Sequence, residues 1–252
     1  MQPWRTIESV DTAEGQLDLR QRGDRSFLIT IAGRVLMTSE AHRSEKDLAR
    51  LATAAMGDLA RPHVLVAGLG MGYTLRAALD CLPQAAKITV VELNPVVVAW
   101  CAGPLAVLTK GASSDKRVTV VVADVARVIA EASPGAYDAI ILDLYEGPFQ
   151  SDSRAHDPLF GIAALKRTAA ALKPEGVLAI WSEERSEAFE DRVAVDFQLE
   201  RHRGAGGGRR HVIYVAKPAI GRPRFASRPD PDVRDARRPA GGRRGPGRRP
   251  RG

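Results

Sequence analysis

The chain has 252 residues, 44% of them hydrophobic, and a formal net charge of +7. That length suits one large domain with room for an appendage, and that apolar content is enough for a real core. Residues 218–252 carry eleven arginines and three aspartates, a balance of +8, so the rest of the chain is close to neutral and the usual reason to read the body as a nucleic-acid binder is gone.

The first region, 1–60, reads as a small β-meander followed by a helix. Gln16–Arg20 and Ser26–Ile31 have strand character around a Gly23-Asp24 turn, and Arg34–Met37 forms a further strand after Gly33. Ser39 is a candidate cap for a helix running to Met56, with Leu48, Leu51, Ala52, Ala55 and Met56 on one face.

The second region, 61–217, alternates strands and helices. His63–Ala67, Lys87–Val91, Val118–Val122, Ala139–Leu142 and Val177–Trp181 are short apolar runs of the kind buried in parallel sheets. Between them, Leu75, Ala78, Leu79 and Leu82 follow helical spacing, Asn94-Pro95 opens a helix, and Val125, Val128, Ile129 and Ala132 form another helical face. Asp157-Pro158 is expected to start a helix that stops at Lys173-Pro174-Glu175-Gly176. Val193–Arg201 and His211–Ala216 are expected to close the domain as an antiparallel hairpin around the glycine-rich 204–208. Repeated βα units of this kind predict an α/β, Rossmann-like fold, with a mostly parallel sheet and helices on both faces.

The third region, 218–252, is rich in Arg, Pro and Gly and has too few apolar residues to offset chain entropy. It is expected to be disordered, and it is the one place where nucleic acid could be held. No run of about 18 apolar residues predicts a membrane-spanning helix. Met1–Asp11 lacks a basic start followed by an apolar stretch, so a cytoplasmic protein is expected. Cys81 and Cys101 are too few for a disulfide framework or a four-ligand zinc site and are expected as buried free thiols in helices. The five histidines show no metal-ligand spacing, so no metal is expected.

The chemistry concentrates at strand ends. Gly68-Leu69-Gly70-Met71-Gly72 follows the first parallel strand and precedes a helix, where missing Cβ atoms let the backbone approach a nucleoside ligand. The dinucleotide pattern would need glycine at position 73, which is Tyr73. Glu92 ends the next strand, where a carboxylate can accept from both ribose hydroxyls. Asp124 ends the third strand, as an acceptor beside an adenine or as a helix cap. Asp143, Tyr145 and Glu146 cluster after the fourth strand, on the rim where ligands bind in open α/β sheets.

These runs, with Val90–Val97, Asp115–Asp124, Tyr137–Asp143 and Leu172–Leu178, resemble the spermidine synthases across about 15–217. The resemblance implies the seven-stranded class I S-adenosylmethionine-dependent methyltransferase fold behind a small N-terminal β-domain. It implies that Gly68, Leu69, Gly70, Gly72, Glu92 and Asp124 hold the adenosyl group of decarboxylated S-adenosylmethionine or of S-adenosylmethionine itself. It also implies that Asp143 and Glu146 orient and deprotonate a small-molecule amine, and that the protein forms a homodimer. The sequence departs from the family at Met71, where an aspartate meets the aminopropyl ammonium, at Leu36, in place of a glutamine, and at Arg43-Ser44, in place of a Tyr-His pair before Glu45. The leading expectation is aminopropyl transfer. The alternatives are a small-molecule methyltransferase and a non-catalytic nucleoside-binding relative.

Overall fold

The computed structural model describes residues 2–145, 147–148, 156–204 and 211–219. Four antiparallel strands come first: β1 (Arg5–Thr12), β2 (Gly15–Arg22), β3 (Ser26–Ile31) and β4 (Arg34–Thr38), paired in that order. β1 is not evident in the sequence because its residues are largely exposed, so no apolar alternation marks it. Helix α1 (Arg43–Met56) follows, buried through Leu48, Ala49 and Ala52. Its N-cap is His42 and not Ser39. The Ser39 hydroxyl is committed to the sheet, accepting from Phe27 N at 2.9 Å and donating to Arg25 O at 3.2 Å.

The large sheet then builds from β5 (His63–Ala67), β6 (Lys87–Glu92), β7 (Val118–Val122), β8 (Tyr137–Leu142), β9 (Leu172–Ser182), β10 (Phe197–Arg203) and β11 (Val212–Pro218). Their spatial order is β10-β11-β9-β8-β5-β6-β7. β5, β6, β7, β8 and β9 run parallel, and β11 pairs antiparallel with both β9 and β10. The connecting helices are α2 (Tyr73–Cys81), α3 (Pro95–Ala102), α4 (Ala106–Thr109), α5 (Val125–Glu131), α6 (Ile162–Ala171) and α7 (Glu187–Val193). The chain therefore reverses its direction of travel across the sheet between β5 and β8, which is where α/β sheets open a crevice.

Three sequence expectations need correction. Helix α6 starts at Ile162 because Asp157 instead caps a turn, its carboxylate accepting from Leu159 N and Phe160 N at 2.9 and 2.7 Å. The Lys173–Gly176 stop signal lies inside β9. Leu172 pairs with Tyr137 and Val177 with Ala139, so residues 173–176 bulge out of the ladder. Val193 ends helix α7 and the last hairpin begins at Phe197, because Ser186 caps α7 by accepting from Phe189 N at 3.1 Å.

Side-chain alternation on the central strands feeds two cores. Val64, Val66, Val90 and Ile141 face α1, α2 and α3, whereas Leu65, Ala67, Val91, Ile140 and Leu142 face α5, α6 and α7. Leu17, Leu19, Phe27 and Ile29 of the small sheet join the first core. The front strands thus share their burial with the large sheet. Trp100 of α3 reinforces this by donating its indole N–H to Glu8 of β1 at 2.8 Å. Cys101 is a buried thiol, as expected, but Cys81 is exposed because it ends α2 at the surface. Among the described residues no helix is long and apolar enough to cross a membrane, a statement about helices alone.

Asp138 fastens the start of the central strands. Its carboxylate accepts the His63 backbone N–H at 2.8 Å and meets Lys173 Nζ at 2.8 Å. Asp138→Ala leaves a strand-end amide without its acceptor and should cost about 1–3 kcal/mol in denaturant titration. Lys173→Ala removes only a solvent-facing partner and should cost less than about 1 kcal/mol.

Candidate active site

The crevice between β5 and β8 brings the glycine loop and Asp143 together. Gly68 has φ of +83°, and a Cβ there would collide with the Asp143 carbonyl oxygen. Only glycine allows this approach. The backbone on both sides is tied across strands: Gly68 N–H donates to Val91 O and Asp143 N–H to Ala67 O, each at 2.9 Å. Gly72 caps α2 in the left-handed region, at φ of +80°.

Glu92 sits against this loop and is 8% exposed. Its two carboxylate oxygens accept from Leu69 N at 2.8 Å and from Asn94 N at 2.9 Å. The side chain therefore holds the glycine loop to the end of β6. A carboxylate has about four lone-pair sites, so these two bonds leave acceptor capacity for ligand hydroxyls. Leu93, beside it, and Val122, at the end of β7, are each 51% exposed and add apolar surface at the same rim. Asp124 caps α5 by accepting from Ala126 N at 2.8 Å, which is the structural role weighed for it.

Asp143 is half-buried at the end of β8. Thr74, in the first turn of α2, donates its hydroxyl to the Asp143 carboxylate at 2.5 Å. Burial, and then the Glu45 charge, push the Asp143 carboxyl up to about 7, against the pull of the Thr74 hydrogen bond. A nearby acid from α1 thus opposes ionisation of the acid on β8, an arrangement suited to receiving a cation. Glu45 accepts from the Ser44 hydroxyl at 2.8 Å, and Ser44 Oγ lies 3.1 Å from His211 Nδ1 on the far hairpin. The His211 ring packs against Trp181 at 4.8 Å, and the Trp181 indole nitrogen is buried without a hydrogen-bond partner.

The other expected residues fall as follows. Tyr145 is 48% exposed and follows the crevice without reaching into this hydrogen-bond network. Glu146 lies outside the described residues. Met71 is fully buried. Met37 of β4 crosses the loop: a Cβ on Gly70 would stand 2.8 Å from its sulfur, and Met71 N–H donates to that sulfur at 3.2 Å. The small sheet therefore roofs the loop with a thioether.

Composition and spacing alone do not single out Thr74, Ser44, Trp181, His211 or Met37, which come together only through the sheet order. Thr74 carried the best signal, as a hydroxyl two residues past the last glycine of the loop. Cys101 donates its thiol to Gly70 O at 3.1 Å, and burial pushes that thiol up to about 12, so it is an inert packing group. Among the described residues no cluster of His, Cys, Asp or Glu could hold a metal.

The sheet order with a glycine loop after the first parallel strand defines the class I Rossmann-like fold. With the antiparallel sheet in front, the chain has the particular form of that fold found in spermidine synthases. The solved spermidine synthase from Thermotoga maritima superposes with a TM-score of 0.70 at 21% identity, covering 85% of this chain and 72% of that one. A spermidine synthase in complex with the transition-state analogue AdoDATO gives 0.69 at 20% identity, with the same coverage. By sequence, the chain is 35% identical over 131 residues to putrescine N-methyltransferase 3 of Nicotiana tabacum, 51% of this chain and 32% of that enzyme. It is 30% identical over 133 residues to a polyamine aminopropyltransferase of Prochlorococcus marinus, 52% of this chain and 44% of that enzyme. The matches thus span less than half the length of these curated relatives, all of them transferases. No protein-family model matches the sequence.

The raised Asp143 carboxyl gives the site a signature in stability. The folded chain holds this proton up to about pH 7, against an ordinary value of 3.8. Its contribution is complete below about pH 4 and is lost as the pH rises towards 7. In thermal melts from pH 4 to 8, Asp143→Asn should fall less steeply than the parent chain. Parallel curves would mean that Asp143 ionises freely.

Proposed function

We propose that this chain is a transferase that moves an alkyl group from an adenosyl sulfonium to a small amine, with aminopropyl transfer from decarboxylated S-adenosylmethionine as the leading reading. The observation that carries it is the acid pair. Asp143 and Glu45 approach each other at the crevice, and Asp143 is left as a carboxyl of about 7. An alkylamine has a pKa near ~10 and arrives as a cation. Two acids can bind it, and one poised near neutral pH can take its proton.

In this reading Glu92 accepts from the ribose hydroxyls while still holding Leu69 N. Leu93 and Val122 offer apolar contact to the base, and Asp124 stands at the adenine edge as the cap of α5. Gly70 and Gly72 let the loop backbone approach the ligand. Glu45 holds the acceptor's ammonium, and Asp143, oriented by Thr74, receives the proton that the attacking nitrogen gives up. The nitrogen lone pair forms the new C–N bond as the C–S bond breaks; the C–S bonding pair stays on sulfur, which leaves as a neutral thioether, and the positive charge that passes to nitrogen is released as the proton Asp143 receives. The protein's contribution is alignment of nitrogen, carbon and sulfur, together with removal of water. Tyr145 borders the same rim, and it and Glu146, which lies outside the described residues, are proposed as further acceptor contacts. Homodimer formation is proposed from the family resemblance.

A second reading is methyl transfer from intact S-adenosylmethionine to a small amine. It is favoured by Met71, buried where an acid would meet an aminopropyl ammonium, and by the putrescine N-methyltransferase similarity.

The test is a product assay by mass spectrometry with putrescine and each donor in turn. Aminopropylated product with the decarboxylated donor alone supports the first reading, and methylated product with the intact donor alone supports the second. No product from either, with no calorimetric binding of methylthioadenosine, overturns both. Asp143→Asn should keep donor affinity within about threefold and lower kcat by about 10²–10⁴, the range of a lost general base. In the parent chain kcat/KM should rise with pH through about 7 as Asp143 loses its proton.

A further inference from the structure

Away from the crevice, on the outer side of α2, lies a cavity of about 260 Å³ between α1, α2 and the end of α4. Lys46, Arg50, Arg76 and Lys110 line it together with a single acid, Asp80. Part of this charge is already matched. Arg76 Nη2 pairs with Asp80 at 2.6 Å, and Arg50 lies 3.6 Å from Asp47 on its own helix. Lys46 stands over the Tyr73 ring at 5.5 Å, an attraction that leaves its charge in place. Asp115 and Arg117, which interact electrostatically with Arg76 and Asp80, pair with each other at 3.0 Å. Cations therefore outnumber carboxylates around one recess.

Two further observations point to a ligand. The Arg76 Nε–H is buried without a hydrogen-bond partner, a costly state for a guanidinium donor unless something else accepts from it. Lys110 caps α4 with φ of +54°, one of two non-glycine residues at positive φ among those described. A long side chain is a poor choice there where Gly or Asn would be relaxed, and such strain persists where the side chain is wanted. Residues from three separate segments thus aim positive charge at one hollow, one of them at a backbone cost.

We propose that this cavity is a binding site for a small polyanion, of the diphosphate or phosphate-ester class. Arg76 and Arg50 supply forked donors, and Lys46 and Lys110 act as point charges. A polyanion fits better than a single carboxylate because Lys46 and Lys110 add positive charge beyond the Arg76–Asp80 and Arg50–Asp47 pairs. Tyr73 joins the site to the crevice: its ring lines the cavity, its hydroxyl donates to Ser39 O at 3.1 Å, and the next residue is Thr74, which holds Asp143. The cavity is built from residues that the transfer reaction does not use.

The experiment is calorimetric titration of the full chain with sodium pyrophosphate at low ionic strength. Lys110→Gly and Arg76→Met are measured beside the parent chain. All three carry the same arginine-rich 218–252 segment, so differences between them report the cavity. The parent should bind, and each variant should bind about fivefold or more weakly, the loss expected for one charge-assisted contact. Lys110→Gly also relieves the backbone, so its Tm should equal or exceed the parent's, and weaker binding cannot then be laid to misfolding. Equal affinity in the parent and Lys110→Gly, or no binding by the parent, overturns the proposal.

Discussion

The site depends on how closely two stretches of backbone pass each other. At Gly68 the chain leaves β5 so near the Asp143 carbonyl that a Cβ has no room. Everything the crevice offers follows from that approach. It sets the glycine loop and the acid of β8 on one rim, and it lets the loop fold back so that Leu69 N reaches Glu92 on the neighbouring strand. Any side chain at position 68 would separate β5 from the β8 exit and undo both relationships at once. Glycine is therefore required here by the geometry of the sheet, whatever ligand the loop receives.

The acids around this approach divide into those the protein uses for itself and those it leaves under tension. Glu92 and Asp124 hold backbone amides, and these bonds fix the loop and the start of α5. Asp143 is different. It has one hydroxyl partner and a carboxylate neighbour, and burial disfavours its charge. A fold selected only for stability would replace one member of such a pair with a neutral residue. Retaining both costs stability as the pH rises, and an arriving cation would remove that cost by satisfying both acids. The tension is then a form of preorganisation, stored before the ligand binds.

The large sheet was legible because buried parallel strands announce themselves. VLVA at 64–67 and AIIL at 139–142 are apolar throughout, and their ends point directly to the rim. Glu92 and Asp143 were legible for the same reason, since each is the first charged residue after such a run. The misses have physical causes. β1 is exposed on most of its length and shows no alternation. Ser39 and Asp157 are good caps by type, but one closes a hairpin and the other a turn, because a hydroxyl or carboxylate serves whichever amide the chain presents first. Glu45, Thr74 and His211 lie far apart in sequence and meet only after the sheet has ordered itself, which one-dimensional spacing does not encode.

The front sheet shows why the boundary near residue 60 is a boundary in sequence only. Leu17, Leu19, Phe27 and Ile29 give it one apolar face, and a four-stranded sheet with one such face needs a partner to cover it. That partner is the same core that carries α1, α2 and α3. Once docked, β4 places Met37 over Gly70, and the turn after it carries Ser39, which accepts from Tyr73, on towards Glu45. The roof and one acid of the crevice thus come from the segment that looked like an appendage. Separating that segment from the large sheet would expose its apolar face and open the crevice on the side where the acceptor is proposed to sit. Stability and site are therefore bound to the same contact, and the Rossmann-like sheet alone would keep Asp143 and the glycine loop but lose Glu45 and the Met37 roof.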